Sequence, residues 1–419
     1  MKLDLTINII ELICIIIILI GVLLFIYAQN RAKKNNNYPY KSSDSHNYAV
    51  LIPARYESKV IEGLLKSILE QSMKINMEDV YVVVEDINDP TVEICKKYKC
   101  SFFVRKHLEL KKKGYALDEV IKDILSKNKK YDAYFIFDAD NVLDKDYFLN
   151  MTKTFDQGYD IGIGYRNCKN GNLSMIAACS ALTFSMVNTL SNESKKQRTN
   201  TMTISGTGFY IRGEFIDLWG GYPFNTLTED YELSLYANLH ALTTDYNKEA
   251  SFYDEQPTIY KQTVKQRIRW IRGYVDSRKK YIPLIREEAK KKTNNYGSNI
   301  LEIVGVKPYV FIVIGIFIFL VYQLYMLISQ VITKEISWLI PIRKTFDILV
   351  IAYFIMVIIT AMMILLENKK LNLNRKMKIK VLFFNPLYLV TYVPCALMAV
   401  LKKEVTWDRI DHNSVKVDN

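Results

Sequence analysis

The sequence predicts an α/β domain flanked by transmembrane α-helices. Three observations point there. Long apolar runs cluster near both ends of the chain. Between them, short strands of β-formers alternate with amphipathic helical stretches, the pattern of a parallel sheet covered on both faces. One central strand, over 134–137 (Tyr-Phe-Ile-Phe), ends on two acids, Asp138 and Asp140.

The first apolar run, Ile9 to Ala28, is long enough to cross a bilayer. Gln29, Asn30 and Arg31 follow it where a secretory leader would carry a small-residue cleavage site, so it reads as a retained helix. Glu11 near its start is expected at the membrane interface. Arg31, Lys33 and Lys34 follow the run and only Lys2 precedes it. The positive-inside rule then places the N-terminus outside and the next domain in the cytoplasm. Further spans are expected over Val306–Val331 and Phe346–Leu366, with Lys334 and Arg343 in the loop between them. Val381–Leu401 is long enough to span, but Pro386 and Pro394 interrupt it. Both a kinked span and a re-entrant segment fit. The domains are 1–34 (membrane helix), 35–46 (linker), 47–300 (soluble domain, with interfacial helices near its end), 301–401 (membrane region) and 402–419 (cytoplasmic tail).

Within the soluble domain, Tyr48–Pro53 reads as the first strand and Ala54-Arg55-Tyr56-Glu57 as the turn leaving it. A helix over Val60–Gln71 follows from Val60, Ile61, Leu64, Leu65, Ile68 and Leu69 at helical spacing. Val80–Val84 is a second strand and ends in Glu85-Asp86, where a ribose or base is hydrogen-bonded in open α/β sheets. Asp89-Pro90-Thr91 opens the next helix, since proline suits a first turn. Ser101–Val104 is a third strand. Lys111-Lys112-Lys113-Gly114 precedes a helix from Tyr115, where free amides and a cation suit an anion; a solvated basic loop reads equally well. Asp138 and Asp140 lie at a strand's carboxyl end, where ligands bind. Two acids there suit a hard divalent cation that bridges to phosphates; alone, they read as well as a solvated turn.

Composition excludes several classes. The Gly-rich dinucleotide fingerprint is missing, which argues against a nicotinamide enzyme. Six cysteines and four histidines show no metal spacing and no HExxH pattern; the cysteines are expected as free thiols. The net charge is +12, but no Lys/Arg stripe with interleaved aromatics argues for nucleic acid.

Leu51-Ile52-Pro53-Ala54-Arg55-Tyr56-Glu57, the Lys-Gly-x-Ala-Leu of 113–117 and the Asp138-Ala139-Asp140 motif resemble an inverting family 2 glycosyltransferase with a glycosyltransferase A (Rossmann-like) fold. Thr228-Glu229-Asp230, after Gly220-Gly221-Tyr222-Pro223, and Gln266-Arg267-Ile268-Arg269-Trp270 narrow the resemblance. The ordered set with membrane flanks is similar to the processive cellulose, chitin, poly-N-acetylglucosamine and hyaluronan synthases. The resemblance covers about 47–281 by motif. It departs at the second-strand acid, where Glu85-Asp86-Ile87-Asn88-Asp89 leaves the nucleobase ligand open between Glu85 and Asp86. Trp407-Asp408-Arg409-Ile410-Asp411-His412 looks like a short C-terminal gating motif.

The resemblance implies a multi-pass plasma-membrane enzyme with a cytoplasmic catalytic domain. It implies Mg²⁺ or Mn²⁺ held by Asp140, with Asp138 near the metal or the ribose. Pro53, Ala54, Arg55, Glu57, Glu85, Asp86, Lys113, Asp138, Gln266 and Arg269 would bind a UDP-sugar (UDP-glucose or UDP-N-acetylglucosamine). Asp230 would be the general base, with Glu229 beside it. Gly206, Thr207 and Trp270 would meet the acceptor, a growing polysaccharide, and Trp407 would gate. The Asp-Ala-Asp, Thr-Glu-Asp and Gln-Arg-x-Arg-Trp spellings resemble glucan, chitin or poly-N-acetylglucosamine synthases more than hyaluronan synthases, and within that group a UDP-glucose-using β-glucan synthase is the expectation. Lipid is the surrounding solvent, and accessory secretion proteins are candidate partners. A non-processive transferase loading one sugar onto a lipid, and a non-catalytic export or scaffold subunit, are the competing readings. Eroded acids would mark the scaffold, but Asp138, Asp140, Glu229 and Asp230 are all present.

The charge pattern generates a topological test. A cysteine introduced at position 36 should resist an impermeant thiol reagent in intact cells, and one at position 335 should react. Labelling at 36 from outside would invert the orientation.

Overall fold

The computed structural model describes residues 2–32, 46–195, 202–290, 308–333 and 339–402. Trp407, nearly all of the linker and the 300/301 boundary lie outside the described residues.

The α/β part is built on an eight-stranded sheet. Strand β1 (Tyr48–Pro53) leads to helix α2 (Ile61–Leu69), after the N-terminal helix α1 (Lys2–Ala32). Then come β2 (Val80–Val84), α3 (Thr91–Tyr98), β3 (Ser101–Val104), α4 (Lys113–Ser126), β4 (Ala133–Ile136), β5 (Val142–Leu143) and α5 (Tyr147–Asp156). The second half runs β6 (Ile161–Cys168), α6 (Met175–Met186), β7 (Phe209–Arg212), α7 (Gly213–Trp219), α8 (Glu229–Leu239), β8 (Thr244–Asp254) and α9 (Tyr260–Lys290). The sheet order is β3-β2-β1-β4-β7-β6-β8-β5.

The first three strands end where the sequence places them. Strands β3, β2, β1 and β4 are parallel, as strand–helix alternation requires. The other half departs from the expected parallel sheet: β7 runs antiparallel to both β4 and β6, and β5 antiparallel to β8. The sheet is therefore mixed. Alternate β1 residues face opposite cores. Tyr48, Val50 and Ile52 pack with α2 and α5, while Ala49 and Leu51 pack with α4 and the Leu233 face of α8.

Helix α4 begins at Lys113, two residues before the expected Tyr115, so Lys113 and Gly114 belong to its first turn. A Cβ on Gly114 would lie 1.9 Å from the Phe224 carbonyl oxygen. That close approach brings the start of α4 against the chain leading into Thr228-Glu229-Asp230.

The membrane part adds α10 (Pro308–Ile332), α11 (Leu339–Leu366), α12 (Arg375–Val390) and α13 (Tyr392–Leu401). Among the described residues, three helical stretches are long and apolar enough to cross a membrane: Ile314–Ile332, Leu339–Leu366 and Arg375–Leu401. The apolar part of α1, Ile9–Leu24, is shorter. Helix α11 starts at Leu339 rather than Phe346, so Arg343 belongs to the helix and not to a loop. Arg375–Leu401 is broken at Thr391, between α12 and α13. Pro394 lies in the first turn of α13, where its missing N–H costs no hydrogen bond. Glu11 accepts from Lys344 (2.8 and 3.1 Å) and from Gln323 (3.0 Å), which ties α1 to α10 and α11. The cysteines are free and buried, as expected.

The membrane part docks on the sheet through polar groups. Glu367, after α11, accepts from Tyr165 (2.7 Å) and Thr189. Asn372 donates to the Cys168 carbonyl at 3.2 Å, and the Asn374 amide donates to Asn172 at 2.8 Å.

Gly114→Ala should destabilise the domain, because the added methyl meets backbone rather than a movable side chain. Overpacking of this kind costs ~1–3 kcal/mol. Thermal unfolding in detergent should show a lower Tm, and an unchanged Tm would refute the close approach.

Candidate active site

Three loops meet at the carboxyl end of β4. Asp138 and Asp140 leave that strand, and the Asp138 amide donates to the Thr207 hydroxyl at 2.9 Å. Thr207 is fully buried and donates onward to Asn141. Its hydroxyl therefore fastens the loop over 204–208 to the Asp-Ala-Asp turn rather than facing an acceptor. Gly206 takes a left-handed conformation (φ +85°), and a Cβ there would lie 3.3 Å from Asp230 Oδ2. Glycine lets the loop pass this close to the carboxylate.

Lys113 joins the three loops. Its ammonium donates to Asp138 Oδ1 at 2.5 Å and to the Gly206 carbonyl at 2.6 Å, and it lies 4.0 Å from Glu229 Oε1. Burial pulls its pKa down, but Asp138, Glu229 and Asp230 outweigh that and the net shift is upward. Lys113 therefore stays charged.

Glu229 and Asp230 open α8. Burial, then the neighbouring Asp230 charge, pushes the Glu229 carboxyl up to about 7. Burial also raises Asp230, against the Tyr231 backbone hydrogen bond and the charges of Lys113 and Arg166. Arg269 is lowered by burial despite Glu229, Asp138 and Asp230 in its field. Helix α9 carries Arg269 and presses Gly273 on Thr228, where a Cβ would sit 2.6 Å from the Thr228 hydroxyl. Glu232 locks α8 to α9: it accepts from Lys280 (2.6 Å) and Tyr281 (3.3 Å), and from the amides of Asn225 and Thr226.

Asp140 is 8% exposed, and its carboxylate accepts from Asn141 Nδ2 (3.1 Å) and the Glu255 amide (2.8 Å). Asp138 keeps 40% of its side chain exposed. Among the described residues, no group of three or more His, Cys, Asp or Glu side chains could hold a metal. Asp138 and Asp140 still fit a cation that takes its other ligands from phosphate and water, the usual Mg²⁺ arrangement.

The other expected donor residues lie at neighbouring strand ends. Pro53 ends β1, and the Ala54 amide continues the pairing to Val83 (2.8 Å). Arg55 pairs with Glu85 at 2.8 Å, so Glu85 shares its carboxylate with a fixed cation. Asp86 instead accepts from Asn88 (2.9 and 3.1 Å) in a local turn. The Glu57 carbonyl starts α2 by accepting from Val60 and Ile61. Gln266 and Trp270 are half-buried on α9, and the Trp270 ring meets Phe184 edge-on at 5.8 Å.

The structure adds residues the motifs do not name. Arg166 on β6 binds Asp254 Oδ2 through Nε (2.8 Å) and Nη2 (2.5 Å), donates to the Ser205 carbonyl (2.5 Å), and lies 3.8 Å over the Phe184 ring. It links the loop beside Asp230 to the aromatic pair Phe184–Trp270. Lys169 donates to the Asp140 carbonyl at 2.9 Å and sits 3.5 Å from Glu255. The acids Asp254 and Glu255 at the end of a strand repeat the Asp138 pattern, the one sequence signal that marks this second layer.

A family model described as "Glycosyltransferase like family 2" matches residues 46–273. The chain is 23% identical over 229 residues to "Probable glycosyltransferase YdaM" of Bacillus subtilis (strain 168), covering 54% of each chain. It is 23% identical over 259 residues to "Poly-beta-1,6-N-acetyl-D-glucosamine synthase" of Staphylococcus aureus (strain COL), covering 61% of each. The chain thus spans less than two thirds of the length of these curated relatives. The fold is similar to a solved mannosyltransferase from Pyrobaculum calidifontis, in complex with GDP-Man and Mn²⁺. The TM-score is 0.57 at 13% identity, covering 94% of this chain and 100% of that one.

The raised Glu229 and Asp230 carboxyls give a pH test. A base must be ionised to act, so the acid limb of kcat/KM should lie above the ordinary carboxylate range of about 4. Activity should fall as pH drops toward that limb, because burial holds the Asp230 carboxyl above its ordinary value. A pH–rate profile that stays flat to pH 5 would contradict this electrostatic arrangement.

Proposed function

The chain belongs to glycosyltransferase-like family 2, and from that premise we propose that it is a membrane-bound inverting hexosyltransferase that extends a β-linked polysaccharide from a UDP-sugar. The observation that carries this reading is the meeting of Lys113, Asp138 and Glu229 within 4.0 Å, in the electrostatic field of Arg269.

The roles follow from placement. The acceptor hydroxyl attacks the anomeric carbon from the face opposite the diphosphate. Asp230 takes the hydroxyl proton, and the bond from the anomeric carbon to the diphosphate breaks. Lys113 and Arg269 receive the charge that grows on the departing oxygens; a guanidinium can do so with two parallel hydrogen bonds. Mg²⁺ or Mn²⁺ between Asp138 and Asp140 would neutralise part of that same charge. Pro53, Ala54, Arg55, Glu57, Glu85 and Asp86 surround the nucleoside, with Glu85 on the base side because Arg55 orients it. Gln266 joins the diphosphate side of α9. Trp270 offers a flat face to the apolar side of the acceptor sugar. Gly206 meets the acceptor through its backbone, and Thr207 holds the loop in place.

Inversion needs no covalent enzyme intermediate, and none of these roles requires one. The spans beside the site would carry the product across the membrane. The motif spellings suit glucan, chitin and poly-N-acetylglucosamine synthases alike, and the β-glucan expectation is a choice within that group; the names of the relatives favour N-acetylglucosamine, so we rank UDP-N-acetylglucosamine first.

Purified protein offered radiolabelled UDP-sugars should convert one of these two into polymer. A single-sugar lipid product would replace the polymer reading with the non-processive one, and no product with any donor would leave a scaffold. Asp230→Asn should slow transfer by ~10²–10⁴, the usual worth of a general base, with UDP affinity by calorimetry nearly unchanged. Equal loss of UDP binding would move Asp230 to the donor site.

A further inference from the structure

Arg267 is fully buried. It lies one residue from Gln266 and three from Trp270, yet the proposed chemistry does not use it. Its guanidinium carbon lies 3.8 Å from the ring centroids of both Tyr388 and Tyr392, whose planes stand at 87° to each other. Nη1 donates to the Thr391 hydroxyl at 2.6 Å. Thr391 in turn donates to the Tyr388 carbonyl at 2.6 Å. Among the described residues Nε and Nη2 meet no oxygen or nitrogen acceptor, the Cys395 thiol is the remaining polar neighbour, and no carboxylate pairs with this cation.

These three partners are the residues of the break between α12 and α13. Tyr388 closes the last turn of α12, Thr391 is the break and Tyr392 starts α13. Tyr388 is itself fixed: its hydroxyl lies 2.5 Å from Ser180 Oγ on α6 and 3.5 Å from Thr263 Oγ1 on α9. Ile268 packs beside the same corner against Cys395 and Ala399.

A buried cation without a carboxylate is a poor source of stability, because desolvation is not repaid by a counter-charge. What it does supply is direction. A planar group held in the corner of two perpendicular rings and bonded to one hydroxyl has little freedom to turn. Trp270 lies less than one turn further along α9, ~4.5 Å in rise. Any rotation of α9 about its axis would lift Trp270 from the edge of Phe184.

We propose that Arg267 is a positioning residue: by locking α9 to the break in the last membrane segment, it sets Trp270 over the acceptor sugar. This rests on the transferase reading of the same site. It adds that the residues α9 brings to the site, Trp270 foremost, are placed from the membrane side, while Lys113, Asp138 and Glu229 are placed from the sheet.

The test separates acceptor from donor. Arg267→Met keeps length and removes the charge and both ring contacts. It should raise the acceptor KM about tenfold and shorten the product, with a smaller loss of UDP affinity because Lys113 and Asp138 stay in place. Arg267→Lys restores the charge but stacks on one ring at a time, and should recover part of the loss. Tyr392→Leu removes a ring from the other side of the contact and should reproduce Arg267→Met, so the result does not depend on one variant folding. Equal losses in UDP affinity and acceptor KM would overturn the proposal, as would wild-type acceptor KM and product length in a folded Tyr392→Leu. A wild-type enzyme that adds one sugar would end the polymer reading, and the acceptor KM of the same variants would still decide the role of Arg267.

Discussion

The ammonium of Lys113 lies within 4.0 Å of Asp138, Glu229 and the Gly206 carbonyl at once. Asp138, Asp140, Glu229, Asp230 and Asp254 all open toward the same region, and most are buried. Like charges in a low-dielectric cleft repel strongly. They coexist because fixed cations stand among them: Lys113 between two motifs, Arg166 on Asp254, Lys169 beside Glu255 and Arg269 facing Glu229. Burial still raises both the Glu229 and the Asp230 carboxyls, and the Asp230 charge raises Glu229 further.

The parallel half of the fold was legible because its strands are short runs of β-formers bounded by turn residues. Val80–Val84 and Ser101–Val104 are such runs, and each begins and ends where the pattern does. The other half was not legible. Strand β6 reads Ile-Gly-Ile-Gly-Tyr, and its glycines leave room for Tyr210 and for Tyr147 with the Ala250 carbonyl, contacts that no local pattern announces. Strand β8 is largely polar, and its pairing with β6 shifts register between Gly164 and Tyr165. Strand neighbours of this kind, parallel (β6 with β8) or antiparallel (β7 with β4 and β6), are chosen by tertiary packing, not by local preference.

The site divides along the same line. Asp138, Asp140, Glu229, Asp230, Lys113 and the α9 residues stand in short contiguous motifs, so their types and order carried them. Arg166, Lys169, Asp254 and Phe184 are scattered through β6, the loop after it, β8 and α6. Nothing in their spacing joins them; only the pairing of β6 with β8 brings Arg166 to Asp254. Thr207 shows the reverse case. Its place in a glycine-flanked loop suggested contact with substrate, whereas its hydroxyl is spent inside the protein on Asp138 and Asn141.

Helix α9 is where the two halves of the molecule become one mechanical unit. Its Gly273 lies against Thr228, its Lys280 and Tyr281 hold Glu232, and its Arg267 is clamped at Thr391. A helix held at several points along its length, to the acid-bearing α8 on one side and the last membrane segment on the other, cannot turn without disturbing both. Arg269 and Trp270 sit between those attachments. Their separation from Asp230 is therefore set jointly by the sheet domain and by the membrane helices. Detaching the membrane part would remove one of the two constraints on the site itself, not merely its anchor.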